Sequence, residues 1–361
     1  MHSSDYTKMA IVSGLLMICP SQSQAQTVQS TIEQSGEVSR NERRPSDIAP
    51  IFPQPGILTP QGSYVIEPAV QFSHSSSKRI AVVGFNVVPV LPGFIDMHEI
   101  KRNSTAASLA VRHGVTNRLE LELKVPYGYR DDTIVGRQPG AATAEDRIVR
   151  AEGKAIGDVE LASRYQFNEG GIGKLHFIGG LRFKTRTGRD PFEVENDCLT
   201  RCVPNNTGQT GLPLDLPTGS GFRAVEPSLT WLLPSNRAIF FGTFSYMHNF
   251  KRKDVVRTVR NGEREALGEL EPGAGVGVNV GLGLAIDERA AVSFGYDHSS
   301  IGRMRQNGQR VPSSVRTQIG TAMVGFSYHI DRIRSVNISL GVGLTRDAPD
   351  VSLMLRLPMT F

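Results

Sequence analysis

A strict two-residue alternation of apolar and polar side chains constrains this fold more than any other feature. It is clearest in segments 119–129, 276–286 and 351–361, where apolar or aromatic residues occupy every second position. Successive side chains of a β-strand point to opposite faces, whereas a helix would scatter the same residues around its circumference. The chain repeats this pattern, interrupted by turns, from residue 57 to its end, which predicts an all-β protein.

The average composition conceals this pattern. The 361 residues are 39% hydrophobic and 21% charged, with a net charge of +5. These values exclude a helical membrane bundle, because each of its spans needs about 20 nearly uncharged apolar residues. A transmembrane antiparallel β-barrel stays consistent with them, because its lipid-facing apolar residues alternate with polar residues facing the lumen.

The N-terminal region indicates export. Lys8 precedes an apolar run over residues 9–19, and Ser23, Gln24 and Ala25 form a small-x-small cleavage site. Residues 1–25 therefore have the features of a signal peptide. The polar stretch 26–56 lacks a sustained period, which predicts a flexible periplasmic leader before a barrel over 57–361.

The cysteine pattern agrees with an oxidising compartment. Without the signal peptide, Cys198 and Cys202 remain as an even pair, and a small disulfide loop is expected. A zinc site would need two further ligands, and no histidine lies between residues 187 and 222. No metal, cofactor or phosphate-binding motif is predicted, and nucleic acid is not an expected partner.

Counting back from Phe361 predicts twelve strands. The predicted strands are 62–75, 99–114, 118–130, 155–167, 174–186, 221–233, 238–251, 272–286, 290–303, 315–330, 335–345 and 350–361. The longer polar connections are 131–154, 187–220, 252–271 and 304–314. Alternating short and long connections are typical of outer-membrane barrels with tight periplasmic turns and longer outer loops. Within the ambiguous region 78–98, residues 78–92 extend the first hairpin or form another strand pair, so fourteen strands stay open.

The positions of the tyrosines independently support a membrane-spanning barrel. All seven that follow the signal peptide fall on the outward face when that face is set by the aliphatic residues of each strand. They are Tyr64, Tyr127, Tyr129, Tyr165, Tyr246, Tyr296 and Tyr328. Together with Trp231 they sort toward the two ends of the strands, as expected for aromatic girdles at the lipid–water interfaces.

The opposite face is rich in charge of both signs. The candidates for lining the lumen and setting selectivity are Glu67, Arg112, Glu120, Glu122, Asp158, Glu160, Arg164, Arg182 and Glu226. Such a face suits a wet, selective lumen. It also suits a mutually neutralised network that fills a narrow barrel.

The terminal strand and one basic segment suggest partners. The alternation ending on Phe361 is of the kind that barrel-assembly machinery recognises. The predicted outer loop within 252–271 carries Arg252, Lys253, Arg257, Arg260 and Arg264, which could bind lipopolysaccharide phosphates. Outer-membrane lipids and a small-molecule solute complete the expected partners. Against the barrel stand Pro126, Pro227 and Pro358, because each deletes a hydrogen-bond donor from a strand.

Several short motifs resemble a known family. Residues 114–121 read Gly-Val-Thr-Asn-Arg-Leu-Glu-Leu, residues 156–161 read Ile-Gly-Asp-Val-Glu-Leu, and residues 218–221 read Thr-Gly-Ser-Gly. They resemble the MetA-pathway phenol-degradation family of transporter-like outer-membrane proteins, over nearly all of residues 57–361. The resemblance implies an outer-membrane barrel that passes small molecules, aromatic compounds among them, and it implies no catalytic residues.

The leading functional hypothesis is a passive outer-membrane channel or transporter. The alternative is a plugged barrel with a structural or surface-interaction role. A third hypothesis is a lipid hydrolase using His298 and Ser300 on the lipid-facing surface. Barrel hydrolases of that kind orient the histidine with an Asn or Glu on the next strand, and residues 311–318 contain neither. We therefore expect a protein that is not an enzyme.

Overall fold

The computed structural model describes residues 58–77, 96–137, 146–169, 173–195, 215–258, 262–311 and 314–361. The predicted signal peptide, the leader and the pair Cys198 and Cys202 lie outside these ranges. The strands are β1 (Tyr64–Ser77), β2 (Asp96–Thr116), β3 (Leu119–Arg137), β4 (Asp146–Ile156), β5 (Glu160–Gln166), β6 (His176–Lys184), β7 (Ala224–Pro234), β8 (Ala238–Asn249), β9 (Arg252–Thr258), β10 (Arg264–Glu271), β11 (Gly275–Ala285), β12 (Ala290–Ile301), β13 (Arg305–Gln306), β14 (Gln309–Arg310), β15 (Thr317–His329), β16 (Ser335–Gly343), β17 (Val351–Arg356) and β18 (Met359–Thr360). Across the described ranges, no helix is long and apolar enough to cross a membrane.

The main sheet closes on itself into a barrel. β1 pairs with β2 on one side and with β17 and β18 on the other. β4 and β5 pair with successive parts of β3, so they form one interrupted strand, as do β17 and β18. The barrel therefore has twelve antiparallel strands in the described residues, which confirms the predicted fold class.

The alternative of fourteen strands is wrong. β1 and β2 pair directly from Tyr64↔His113 to Ser77↔Ile100. Because β1 is also joined to β17 and β18, the wall has no place for a further strand pair between β1 and β2. The ambiguous residues 78–95 lie outside the described ranges, and the strands on either side of them are already hydrogen-bonded neighbours.

Three predicted outer loops contain more strand than expected. β3 continues to Arg137 and β4 begins at Asp146, so much of the predicted loop 131–154 extends a hairpin. The predicted loops 252–271 and 304–314 contain β9, β10, β13 and β14, which form a separate four-stranded sheet. Polar residues and glycines interrupt the apolar alternation in these segments, which is why the sequence pattern did not predict these strands. Cross-strand ion pairs and a small apolar cluster stabilise them.

The outer surface of the barrel is apolar. Large side chains such as Val70, Leu181, Phe294 and Leu353 are between 46% and 51% exposed. All seven predicted outward tyrosines are also exposed, which confirms their orientation. A continuous exposed apolar belt of this extent is stable only against lipid, so the barrel is a membrane protein.

The three prolines lie where the strand pairing is interrupted. Pro126 lies opposite the break between β4 and β5, and its carbonyl accepts a hydrogen bond from the amide of Gly157. Pro358 occupies the break between β17 and β18, and the pairing of β7 with β8 is missing at Glu226 and Pro227. The lost donors are therefore placed at interruptions of the hydrogen-bond ladder, which removes the objection to the barrel.

The C-terminal residue completes the closure. The amide of Phe361 donates to the carbonyl of Tyr64, and the amide of Tyr64 donates to the carbonyl of Phe361. The Phe361 side chain is 64% exposed. Recognition of this strand by assembly machinery stays a prediction.

Candidate functional site

One side of the lumen carries a continuous set of charged side chains, here termed the charged wall. It follows neighbouring strands from β17 through β1, β2, β3, β5 and β6 to β7. Its members are Glu67, Arg112, Glu120, Glu122, Lys124, Glu160, Arg164, Arg182, Lys184, Glu226 and Arg356. All the predicted selectivity candidates belong to it except Asp158, which lies in the break between β4 and β5.

The buried part of the charged wall is closely paired. Arg164 lies between Glu120, with 2.5 Å from Nη1 to Oε1, and Glu122, with 2.9 Å from Nη2 to Oε2. Glu67 pairs with Arg112 at 2.7 Å and lies 3.8 Å from Arg356. Strand register creates these pairs, since Glu120 lies directly opposite Arg164. In a low-dielectric environment, removal of one charge leaves its partner buried and uncompensated, which destabilises the fold.

The remaining part of the charged wall is reached by solvent. Arg182 forms ion pairs with Glu160 and Glu226, yet 39% of its side chain is exposed. Lys124, whose ammonium lies 3.9 Å from Glu160, has 40% of its side chain exposed. Gln71 is exposed although it alternates with outward-facing Val70 and Phe72. The lumen at these residues is therefore open to water-sized molecules.

The opposite wall is built mainly from small side chains, and Asp297 is its one acidic residue among the positions named here. Its inward positions include Gly275, Gly277, Asn279, Gly281 and Gly283 on β11, Ser293 and Asp297 on β12, and Asn337 and Ser339 on β16. Asn279 and Asp297 lie directly opposite each other on the neighbouring strands β11 and β12, with 3.5 Å between Nδ2 and Oδ2. The lumen is thus asymmetric, with a charged wall on one side and, on the other, glycines against which side chains such as Phe241 and Ser245 pack closely.

Residues 58–63, here termed the luminal segment, precede β1, and their first two residues, Leu58 and Thr59, are buried inside the barrel. Leu58 is 4% exposed. It packs in an apolar cluster with Ile178, Leu232, Ile239, Phe241 and Ala291. Those side chains point inward from the ends of strands joined by short turns, which is the periplasmic end in barrels of this kind. The luminal segment therefore narrows that end of the lumen, a position that the strand pattern did not predict.

The motif at residues 114–121 fixes the luminal segment. Glu120 accepts hydrogen bonds from the Thr59 amide at 2.8 Å and the Thr59 hydroxyl at 2.6 Å, both through Oε2. The side-chain oxygen of Asn117 accepts from the amide of Gln61 at 3.1 Å. A Cβ at Gly114 would lie 2.1 Å from the carbonyl oxygen of Pro60, so only glycine allows this contact. These residues of the motif thus together hold the luminal segment against β2, β3 and the turn between them.

The motifs at residues 156–161 and 218–221 form a second attachment. Asp158 Oδ2 accepts from the amide of Ser220 at 2.8 Å and from its hydroxyl at 2.6 Å, and Oδ1 accepts from the amide of Gly188 at 3.1 Å. Lys184 lies 3.8 Å from the same carboxylate. Asp158 is therefore an anchor for outer segments and lies between β4 and β5, not within a continuous strand. Its role in selectivity stays a prediction. Gly157 and the opposing Pro126 explain why the strand is interrupted here.

A further ion cluster lies where β2 and β3 extend outward beyond Tyr127 and Tyr129. Asp132 is buried between Arg102, at 2.8 Å from Nη2, and Arg130, at 2.6 Å from Nη2. Sequence analysis missed this cluster because it treated residues 131–154 as a loop. The alternation of Arg130 and Asp132 with their neighbours was the signal that could have revealed it.

The outer strands β9, β10, β13 and β14 form a small folded unit, here termed the outer cap. Its core consists of Phe192, Phe222, Val255, Leu270 and Met304. Arg252 joins the cap to residues 185–195 through an ion pair with Asp190, and its guanidinium carbon lies 5.6 Å from the Phe192 ring centroid. The basic segment 252–264 is thus partly neutralised, since Arg257 also pairs with Glu265, while Arg260 lies outside the described residues.

The His298 region does not resemble a catalytic site. Nδ1 of His298 lies 3.0 Å from the Tyr296 hydroxyl, and Nε2 lies 2.9 Å from Oε1 of Gln318. Gln318, not His298, donates to the hydroxyl of Ser300, at 2.9 Å. Because both ring nitrogens have other partners, His298 is not placed to accept a proton from Ser300. In the described residues, no group of three or more His, Cys, Asp or Glu is placed to bind a metal.

Comparison with solved structures supports the barrel fold. No protein-family model matches the chain. An outer membrane channel from Pseudomonas putida F1 is 15% identical, matches 85% of this chain and 99% of its own, and has a TM-score of 0.57. The translocator domain of the autotransporter NalP from Neisseria meningitidis is 10% identical, with 83% and 88% of the two chains covered and a TM-score of 0.42. The CymD monoaromatic hydrocarbon channel is 9% identical over 83% and 88%, with a TM-score of 0.40. The first of these similarities establishes the architecture that this chain shares.

Proposed function

We propose that this protein is a passive outer-membrane channel for small molecules. The observation that carries the proposal is the water-accessible lumen beside Gln71, Lys124 and Arg182, enclosed by a barrel whose exterior is apolar. A solute would diffuse down its gradient through this lumen. The shared fold with an outer membrane channel supports the same function and location.

Small, weakly charged molecules suit this lumen best. The ion pairs of the charged wall neutralise most of its field, while displacement of Leu58 would free the apolar cluster to contact a ring or short chain. A phenol-like molecule combines an apolar ring with one hydrogen-bonding group, and it would match both surfaces. The resemblance to the MetA-pathway phenol-degradation family points to the same solute class.

The luminal segment is the proposed gate. Leu58 occupies the apolar cluster at the periplasmic end, so a passing solute must displace it or pass beside it. The segment is attached through hydrogen bonds from Thr59 and Gln61 and through the contact with Gly114. These contacts can break without disturbing the barrel ladder, because they are additional to the pairing of β1, β2 and β3.

A filled structural barrel is the second candidate. The observation that favours it is the tight pairing of Glu120, Arg164 and Glu122 together with the burial of Leu58. In that case the charged wall stabilises a narrow barrel and the selectivity residues have no role in transport.

Planar-bilayer recording distinguishes the two candidates. We expect the purified protein to show discrete conductance steps that phenol reduces in a concentration-dependent manner. Lipid bilayers treated with detergent alone are the control. Complete absence of steps over a range of voltages would favour the filled barrel. Steps that phenol does not alter would contradict the proposed solute class but not the channel.

A further inference from the structure

A groove on the outside of the barrel lies at the outer ends of β6, β7 and β8. It has a volume of about 450 Å³ and is lined by Phe183, Arg186, Arg223, Phe250, Lys251 and Lys253, among others. It is separate from the lumen, because Phe183, Arg223 and Phe250 occupy outward positions that alternate with inward-facing Lys184, Ala224 and Asn249.

The groove lies at the outer edge of the apolar belt. Tyr246 faces outward near the outer end of β8, His248 follows at the next outward position, and Phe250 comes directly after the end of the strand. Phe250 is 44% exposed, and its amide donates to the carbonyl of Arg223 at 2.9 Å. An extended strand rises about 3.3 Å per residue, and Phe250 lies four residues beyond Tyr246 at the edge of the apolar belt. The groove therefore lies at the level of the lipid headgroups.

The groove has a net positive charge. Arg186, Arg223 and Lys253 are exposed and have no carboxylate within ion-pair distance among the residues that the structure describes. Lys251 pairs loosely with Glu269 at 3.3 Å. Arg252, which also lines the groove, already forms an ion pair with Asp190. Uncompensated cations gathered around two phenylalanines form a site for an anion that is attached to an apolar group.

We propose that this groove binds the phosphorylated glycolipid of the outer leaflet. A lipid A phosphate would lie among Arg186, Arg223 and Lys253, and an acyl chain would pack on Phe183 and Phe250. Charge complementarity and the level of the groove in the membrane select this occupant. The site is independent of transport, because its residues face away from the lumen.

Titration of the purified full-length protein with diphosphoryl lipid A, followed by native mass spectrometry, tests the proposal. The test variant is R186Q/R223Q/K253Q. The matched control is R237Q/R289Q/R332Q, which removes the same charge from exposed residues in turns at the opposite end of the barrel. We expect at least about tenfold weaker binding by the test variant and unchanged binding by the control, because charge-assisted contacts to phosphate are lost only in the first.

The lipid dependence supplies the second criterion. Diphosphoryl lipid A should bind more tightly than monophosphoryl lipid A, and both more tightly than phosphatidylglycerol. Equal binding by the wild type and the test variant would overturn the proposal. So would an equal loss in the control, or phosphatidylglycerol binding as tight as lipid A, since either result would indicate general attraction to anionic lipid.

Discussion

At the scale of single residues, glycines and buried charges determine what can lie inside the barrel. Gly114 leaves room for the backbone of the luminal segment, and Glu120 both pairs with Arg164 and accepts two hydrogen bonds from Thr59. One carboxylate therefore links the charged wall to the segment that narrows the lumen.

Substitution of Gly114 by alanine should release the luminal segment. The new Cβ would lie 2.1 Å from the Pro60 carbonyl oxygen, so the segment must shift, whereas alanine at the control position Gly128 would meet only Thr218 Cγ2 at 3.9 Å. We expect amide hydrogen exchange in residues 58–63 to be about tenfold faster in G114A, equivalent to about 1.4 kcal/mol of lost protection. Exchange unchanged from the wild type, in a variant that still forms the barrel, would show that the contact is unimportant.

Substitution of Arg164 by methionine should destabilise the barrel strongly. It leaves Glu120 and Glu122 buried without their cation, and breaking such a pair costs about 3–5 kcal/mol. The free energy of unfolding in lipid vesicles, measured with urea, checks this value. R118M is the control, because the ion pair of Arg118 with Glu169 is exposed and should contribute less than about 1 kcal/mol. Similar losses in both variants would contradict the role assigned to the charged wall.

At the scale of elements, the wall and the outer cap have different sources of stability. The wall depends on closed strand pairing, whereas the cap depends on a small core around Phe192, Leu270 and Met304 and on the attachment of Arg252 to Asp190. The cap is therefore expected to open without loss of the barrel.

Substitution of Leu270 by alanine tests this independence. Leu270 is 1% exposed, so truncation should cost about 2–5 kcal/mol within the cap. We expect faster proteolysis within residues 252–271, with the barrel still showing the heat-dependent gel migration of a folded protein. L340A, at a lipid-facing position that is 44% exposed, should leave the cap resistant. Simultaneous loss of cap and barrel would show that they form one cooperative unit.

The strand pattern predicted the wall well and the inserted segments poorly. The outward tyrosines and inward charges follow from period-two alternation. This pattern depends only on neighbouring residues, because successive side chains of any strand point to opposite faces. The luminal position of Leu58 depends on contacts with residues more than a hundred positions away, such as Ile178 and Phe241. The hydrogen bonds of Asp158 were not predicted for a similar reason, since their donors, the amides of Gly188 and Ser220, come from outer segments.

At the scale of the whole molecule, the barrel combines an accessible lumen with a narrowed periplasmic end. Solvent reaches Lys124 and Arg182, while Leu58 fills the apolar cluster where the short turns lie. This asymmetry is the basis of the proposal that the protein is a channel controlled from one side. Under that proposal, displacement of the luminal segment should increase flux through the lumen.

Single-channel recording of L58D tests this central claim most directly. An aspartate is costly to bury in the cluster of Ile178, Leu232 and Phe241, so it should drive the luminal segment out of its site. L175D is the control, because it adds the same charge at an exposed position near the same end of the barrel. We predict a higher open probability and larger conductance for L58D than for the wild type and L175D. Identical recordings from all three proteins would contradict control of the lumen by this segment.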